Sequence, residues 1–486
     1  MINTIEKISN NNKSITNNTI IYVSQKNNLK NYLNNSELKV LDNELINDNK
    51  KNIFLFKRPS ENNLKKQNTN IIILIDNFNS DDSFENIENI RRQGDKITEI
   101  CNNLKLTQID IIDLIEKKDN IIALIEGISL SSYQFNHKTS NNLNYPQKLY
   151  IHSNAISNTD IHNIKIIIDA IYLCKDLVNE PLNYLDTKNI LKITNDISKK
   201  NNILIQILQK KQIENLKMGG IIAVNKGSSN PPIMPILEWK PKKYKNKKPI
   251  IIIGKGILYD TGGTNLKPGE HIEDMKTDMA GAAVALAIIK IASELNLPLH
   301  IISIIPITEN RIDGNSMVPG DIITMHNGKT VEVANTDAEG RLILADALSF
   351  AKKYSPEIVI DVATLTGSAA ITTGKYASIA FSNNEKLLTT LIDAGYKTNE
   401  RIVNLPLWND YNELLESDVA DIKNIGGREA GAITAAKFLQ NFVDYNWIHI
   451  DIAGTAYVKT KYNYRGKGAT GYGIRLIFEF LNNLKI

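Results

Sequence analysis

Short isoleucine-rich runs, separated by longer stretches of helical character, constrain the fold of this chain more than any other feature. Pro249-Ile250-Ile251-Ile252-Ile253 is apolar at every position, the pattern of a strand covered on both faces. Similar runs span Ile203 to Leu208, Gly220 to Asn225, His300 to Ile305, Glu357 to Val362 and Trp447 to Ile452, and each is expected to be a strand. Between them lie segments such as Ala280 to Ala287, whose small residues predict a helix packed tightly against something. This alternation predicts a doubly wound α/β sheet. Residues 1–158 read as a separate, Asn-rich α/β module with strands at Ile20 to Ser24, Asn52 to Phe56 and Asn70 to Ile75 and a helix around Ser83 to Leu104. Ile164, Ile167, Ile168, Ile171, Cys174 and Leu177 recur at helical spacing, so residues 159–180 are expected to be a connecting helix, stopped by Asn179-Glu180-Pro181.

The chemistry-bearing residues cluster at the exits of these runs. After the 249–253 run come Lys255 and Asp260, then Lys267, then Asp278, which is placed to cap the small-residue helix. Ligands bind at the carboxyl ends of strands in open α/β sheets, because loops vary there while the sheet holds still. Downstream, Asn335-Thr336-Asp337-Ala338-Glu339-Gly340-Arg341-Leu342 sets two carboxylates and a guanidinium within five residues, just after the strand-like Thr330 to Val333. On an extended segment Asp337 and Glu339 project to one side and can grip the same cation or pair of cations. Burying unpaired carboxylates costs several kcal/mol each unless cations neutralise them, so this constellation points to metal ions.

These residues resemble the cytosolic leucyl aminopeptidases, a two-metal family whose signature is the stretch Asn335 to Leu342. The likeness extends to Gly254-Lys255-Gly256, Tyr259 to Gly263, Leu266-Lys267-Pro268, Met275 to Met279, Asp361 to Gly367, Ala420 to Asn424 and Gly431 to Ala436, and fades before about residue 160. It implies an N-terminal α/β domain (1–158) that is non-catalytic and available for oligomer contacts. The connecting helix (159–180) then leads to a larger catalytic domain (181–486) with a central mixed, mostly parallel sheet flanked by helices. By resemblance Lys255, Asp260, Asp278 and Glu339 hold a tighter divalent ion, while Asp260, Asp337 and Glu339 hold a looser one. Oxygen-dominated ligation suits Mn²⁺, Mg²⁺ or Zn²⁺. Lys267 is the implied electrostatic catalyst and Arg341 the holder of a bicarbonate ion. Met275, Asn335, Ala338, Thr364 and Gly367 are implied around the substrate's first side chain, with the Leu365 carbonyl contacting its backbone. The chain departs from many members at Leu258, Thr264 and His271-Ile272, which bears on substrate preference rather than on the charged set. Expected, then, is an aminopeptidase removing leucine or another apolar residue from short peptides with a free N-terminus, working as a homohexamer.

Composition narrows the alternatives. A length of 486 residues exceeds one core, and 42% hydrophobic content supplies two. Net charge is only +4, with lysine concentrated in Lys240 to Lys248, read as a solvated loop, so no electrostatic footprint for nucleic acid is evident. Two cysteines, Cys101 and Cys174, argue for a reducing compartment and against a disulfide framework or a thiolate zinc site. No run is long and apolar enough to span a membrane, and Met1 to Glu6 lacks signal-peptide character, so the expected location is cytoplasmic. No H-E-x-x-H or Walker sequence occurs; His449 reads as a satisfied core residue. A different two-metal hydrolase, such as a deacylase or phosphohydrolase, and a non-catalytic DNA-binding role are the competing readings.

Overall fold

The computed structural model describes residues 1–8, 18–24, 26–48, 51–58, 69–76, 82–138 and 145–485. The chain divides into two compact units, one of Met1–Asp169 with Lys461–Gly466 and one of Ala170–Thr460 with Lys467–Ile486. Their division falls within the helix Asn158–Asn179, which covers the segment read as a connecting helix.

Within the first unit a six-stranded sheet runs in the order Thr4–Lys7, Lys148–His152, Gln108–Asp113, Thr19–Val23, Thr69–Ile75, Ile53–Arg58. All neighbours are parallel except the last pair. Ile20, Ile21, Ile71, Ile72, Ile73 and Ile111 are fully buried, as unbroken apolar runs require. The helix Ser83–Leu104 starts where Asp82 accepts the amides of Phe84 (2.8 Å) and Glu85 (3.4 Å), satisfying donors that no helical carbonyl can reach. The late segment 461–466 contributes to this unit: Tyr464 is fully buried and donates to the Glu88 carboxylate at 2.9 Å.

In the second unit the sheet order is Gly256–Asp260, Ile307–Asn310, Ile233–Trp239, Ile301–Ile304, Ile250–Gly254, Ile358–Ala363, Trp447–Asp451, Ser378–Ser382, Ile402–Asn404, with Leu204–Gln209 also pairing to Ile233–Trp239. The sheet is mixed and mostly parallel, and its middle, from Ile301–Ile304 through Trp447–Asp451, is parallel throughout. Helix Ala280–Glu294 packs on it so closely that a Cβ on Gly281 would lie 2.0 Å from the Val362 carbonyl oxygen, which only glycine permits. Three adjacent parallel strands thus end side by side, at Gly254, Ala363 and Asp451, and Lys255 and Thr364 directly follow the first two.

One expected strand is a helix: Gly219–Asn225, covering the run Gly220 to Asn225. A short apolar run carries no decisive period. Its conformation is set from outside, where the buried Asp346 carboxylate takes the amide of Ile221 at 2.9 Å and so terminates a helix rather than extending a ladder. Lys240 to Lys248 forms a largely exposed loop between two strands, as read. Cys101 and Cys174 are buried free thiols, pushed up to about 12 by burial. Among the described residues no helix is long and apolar enough to cross a membrane.

Candidate metal centre

Lys255 lies between the strands Ile250–Gly254 and Gly256–Asp260, its backbone held by Lys255 N–H to Val362 (3.1 Å) and by the Ala282 N–H to its own carbonyl (2.8 Å). Its side-chain amine meets Asp278 Oδ1 at 2.8 Å and Glu339 Oε1 at 3.0 Å and donates to the Thr364 carbonyl at 2.9 Å. Lys267 meets Asp260 Oδ2 at 2.8 Å and Asp337 Oδ1 at 2.6 Å. Asp260, Asp337 and Glu339 each present an oxygen within 4.8 Å of the others. The seven charged residues read from sequence therefore fall into one compact group, apart from Arg341, which stands just behind Glu339 on the helix Gly340–Ala351.

Two sequence expectations about backbone are corrected. Asp278 does not cap the following helix, which begins at Ala280 without a side-chain cap; Lys255 and the Thr364 hydroxyl, at 2.8 Å, claim its carboxylate instead. Asp337 and Glu339 do not share an extended segment. Asp337 sits in a turn and Glu339 at the entry to helix Gly340–Ala351, where the helix dipole favours a carboxylate.

Burial grades across the group. Side-chain exposure is 3% for Lys255 and Asp260, 8% for Asp278 and 2% for Glu339, but 34% for Asp337. Two ammonium groups face four carboxylates, leaving two negative charges without a counter-ion inside the set. The titration behaviour follows. Burial opposes the Lys255 charge, yet Asp278, Glu339 and Asp260 outweigh it and hold its pKa above the ordinary lysine range. Burial, then Glu339, push Asp260 up to about 6, against the pull of Lys267 and Lys255. Asp278 is raised well above its usual range by burial. Glu339 is also pushed up by burial, but Lys255 and Lys267 prevail and hold it below its ordinary range. Asp278 Oδ2 and Glu339 Oε2 are buried with no hydrogen-bond partner. Such orphaned carboxylate oxygens, aimed into a cluster with surplus negative charge, fit divalent cations, and the oxygen-rich donor set suits hard ions.

Arg341 is buried, donates from Nη1 to the Asn424 carbonyl at 2.9 Å, and leaves Nε buried without a partner. Burial pulls its pKa down to about 10. Of the expected substrate residues, Asn335 and Ala338 share the Asp337 turn, and Thr364 touches both Lys255 and Asp278. Met275, half-buried, opens the short 3₁₀ turn that leads to Asp278; Gly367 is exposed at the start of helix Gly367–Thr373.

Sequence reading missed the residues that hold the ligands. Asn310 donates to Asp260 Oδ1 at 2.8 Å and to the Thr336 carbonyl at 3.1 Å, from the end of a strand, Ile307–Asn310, too short to register as a pattern. Asp451 accepts the Leu365 amide at 3.1 Å and the Thr366 hydroxyl at 2.8 Å, fixing the loop that carries Thr364. An acid ending the apolar run Trp447 to Ile452, at a strand exit like Lys255 and Asp260, was the available signal.

Residues 172–478 match the catalytic domain of the cytosol aminopeptidase family. The chain belongs to that family. Among relatives, it is 47% identical over 312 residues to a probable cytosol aminopeptidase of Chlorobium phaeobacteroides, covering 64% of this chain and 62% of that one. With the protein of the same description from Chlorobaculum tepidum it shares 48% identity over 310 residues, 63% and 61% of the two lengths. A third, from Methylobacillus flagellatus, is 42% identical over 379 residues, 76% of this chain and 75% of the other. The match thus spans about three fifths of the Chlorobium and Chlorobaculum relatives. In fold the chain is similar to the bottromycin maturation enzyme BotP, solved in complex with Mn: the TM-score is 0.82 at 24% identity, over 96% of this chain and 98% of that one. The matched range takes in the whole charged cluster, from Lys255 to Arg341.

Proposed function

We propose that this chain is a metal-dependent aminopeptidase that hydrolyses the N-terminal residue, preferably leucine or another apolar one, from unblocked peptides in intracellular peptide turnover. The observation that carries this reading is the convergence of Lys255, Asp260, Asp278, Asp337 and Glu339, with Lys267 against two of them, in a cluster that holds more carboxylates than ammonium groups. Membership of the cytosol aminopeptidase family supports it.

Lys255, Asp260, Asp278 and Glu339 would hold one divalent ion in the buried part of the cluster, and Asp260, Asp337 and Glu339 a second, Mn²⁺ or Zn²⁺, on the exposed side. Two such ions supply Lewis-acid activation of a water molecule and of the peptide carbonyl. A lysine can serve as a ligand only as the free amine, so Lys255 gives up its proton on loading; nothing but a cation among these carboxylates would make that favourable. Lys267 keeps its proton, because burial is outweighed by Asp260, Glu339 and Asp337, and its ammonium donates to the oxygen that gains charge as the carbonyl is attacked. A preorganised donor of this kind contributes about 10²–10³ in rate. Arg341, with a buried, unpartnered Nε beside an Nη1 already fixed, presents part of a planar fork suited to bicarbonate. Met275, Asn335, Ala338, Thr364 and Gly367 would surround the first side chain, and the deformable Met275 admits a range of apolar shapes. The Leu365 carbonyl would meet the peptide backbone.

The test compares Lys267→Ala with Asp260→Ala on a leucine anilide, with metal content measured in parallel. Lys267→Ala should retain bound metal and lose about 10²-fold or more in kcat; Asp260→Ala should lose metal first. Equal metal loss in both contradicts the assigned roles. Preference for an acylated or phosphorylated analogue over the anilide would favour the deacylase or phosphohydrolase reading. Cytoplasmic location, and a homohexamer to which the N-terminal 158 residues contribute contacts, belong to the same proposal through the family resemblance; light scattering tests the assembly.

A further inference from the structure

Asn424 is fully buried, yet no charge or substrate group explains its presence beside the site. It arrives on the two-residue strand Ile422–Lys423, which pairs in parallel with Thr330–Glu332 in the register Val331 to Ile422 and Glu332 to Lys423. Asp421 pins that register by accepting the amide and hydroxyl of Thr330 at 2.8 and 3.0 Å, and the Asn424 amide closes it on the Glu332 carbonyl at 3.0 Å. Beyond the strand, the Asn424 side chain takes over from the ladder. Its Oδ1 accepts the amides of Ala334 (2.9 Å) and Asn335 (3.2 Å), while Nδ2 donates to the carbonyls of Asn335 (2.7 Å) and Ala338 (3.4 Å). Its own carbonyl accepts Arg341 Nη1 at 2.9 Å. One residue therefore grips both ends of the turn that carries Asp337 and also sets one nitrogen of the guanidinium.

Only a carboxamide suits this position. It must offer two acceptor sites on one atom and two donor hydrogens on the other, both aimed at backbone, at a fully buried position. The far side of the same turn is tied by Asn265 Oδ1, which accepts the amide and hydroxyl of Thr336 at 2.9 and 3.0 Å, and by the Thr336 hydroxyl, which lies 2.6 Å from the Gly262 carbonyl oxygen, so Asn424 supplies the complementary half of the fixation.

We propose that Asn424 is a positioning residue that sets Asp337 and Arg341 together, so that the exposed metal position and the anion-holding guanidinium form as one unit. This rests on the two-metal reading above. It predicts that Asn424→Asp, nearly identical in shape but with an acceptor facing the Asn335 and Ala338 carbonyls, disturbs the exposed metal position selectively. In Mn²⁺ titration of the metal-free protein the weaker of two binding steps should weaken about tenfold or more, as loss of a ligand-orienting partner does, while the tighter step changes by less than about threefold. Hydrogen exchange of the metal-free protein should speed at the Ala334 and Asn335 amides and stay unchanged along Trp447–Asp451. Asn424→Ala carries the same prediction should the aspartate variant not fold. A weaker step within about threefold of wild type, or equal loss at both steps, overturns the assignment. Asp337→Ala is the reference: if it retains both steps, the two-metal reading fails on its own account, and the exchange rates at Ala334 and Asn335 still decide whether Asn424 holds the turn.

Discussion

At the scale of single residues, the tightest constraint on the cluster is a missing side chain. A Cβ added to Gly340 would lie 2.4 Å from Lys255 Cε and 2.5 Å from its Nζ. Lys255 has no room to retreat, since its side chain is 3% exposed and its backbone is bonded on both sides. Gly340→Ala should therefore displace the amine, weaken metal binding by about tenfold or more, and cost about 1–3 kcal/mol of stability as overpacking does. Metal titration and urea unfolding of the same sample check both, and unchanged metal affinity would show that the lysine can move. His449, read as a satisfied core residue, is core but only half satisfied, since its Nε2 is buried without a hydrogen-bond partner. Its ring is fully buried, its Nδ1 lies 2.6 Å from Asp361 Oδ1, and Phe381 and Trp447 stack against it.

At the scale of elements, the buried Asp346 joins two helices. It sits on Gly340–Ala351, the helix that starts at the cluster, and accepts the Ile221 and His326 amides at 2.9 Å each. Burial pushes its carboxyl up to about 7. The native state then keeps this proton through a range in which the unfolded chain has already lost it, so the group's contribution to stability falls as pH rises from about 4 to 7. Asp346→Asn should remove that slope, a difference of at most about 1.4 kcal/mol per pH unit between variant and wild type in urea unfolding; parallel pH profiles would contradict it. The same element shows how far sequence reaches. Charged residues at strand exits announced themselves, because Lys255, Asp260, Asp278, Asp337 and Glu339 break strongly apolar or Gly-rich surroundings. The uncharged holders did not: Asn310, Asn424 and Thr336 act through backbone brought in from distant segments, and an asparagine in a loop carries no local mark of its partner. For the same reason Gly220 to Asn225 read as a strand, its helical form being decided by a carboxylate over a hundred residues away in sequence.

At the scale of the whole molecule, a buried group with excess carboxylate opposes folding until cations arrive. Saturating Mn²⁺ should stabilise the chain by about 2.7 kcal/mol per site at a hundredfold excess over Kd, seen as a rise in Tm. Asp278→Ala should blunt that rise, and an unchanged rise in Asp260→Ala would argue that the metal binds elsewhere. A different consequence follows from the segment 461–466. Because Tyr464 fills the interior beside Glu88, the first unit's core stays incompletely sealed on the ribosome until every strand of the second unit's large sheet, and the segment just beyond them, has been translated.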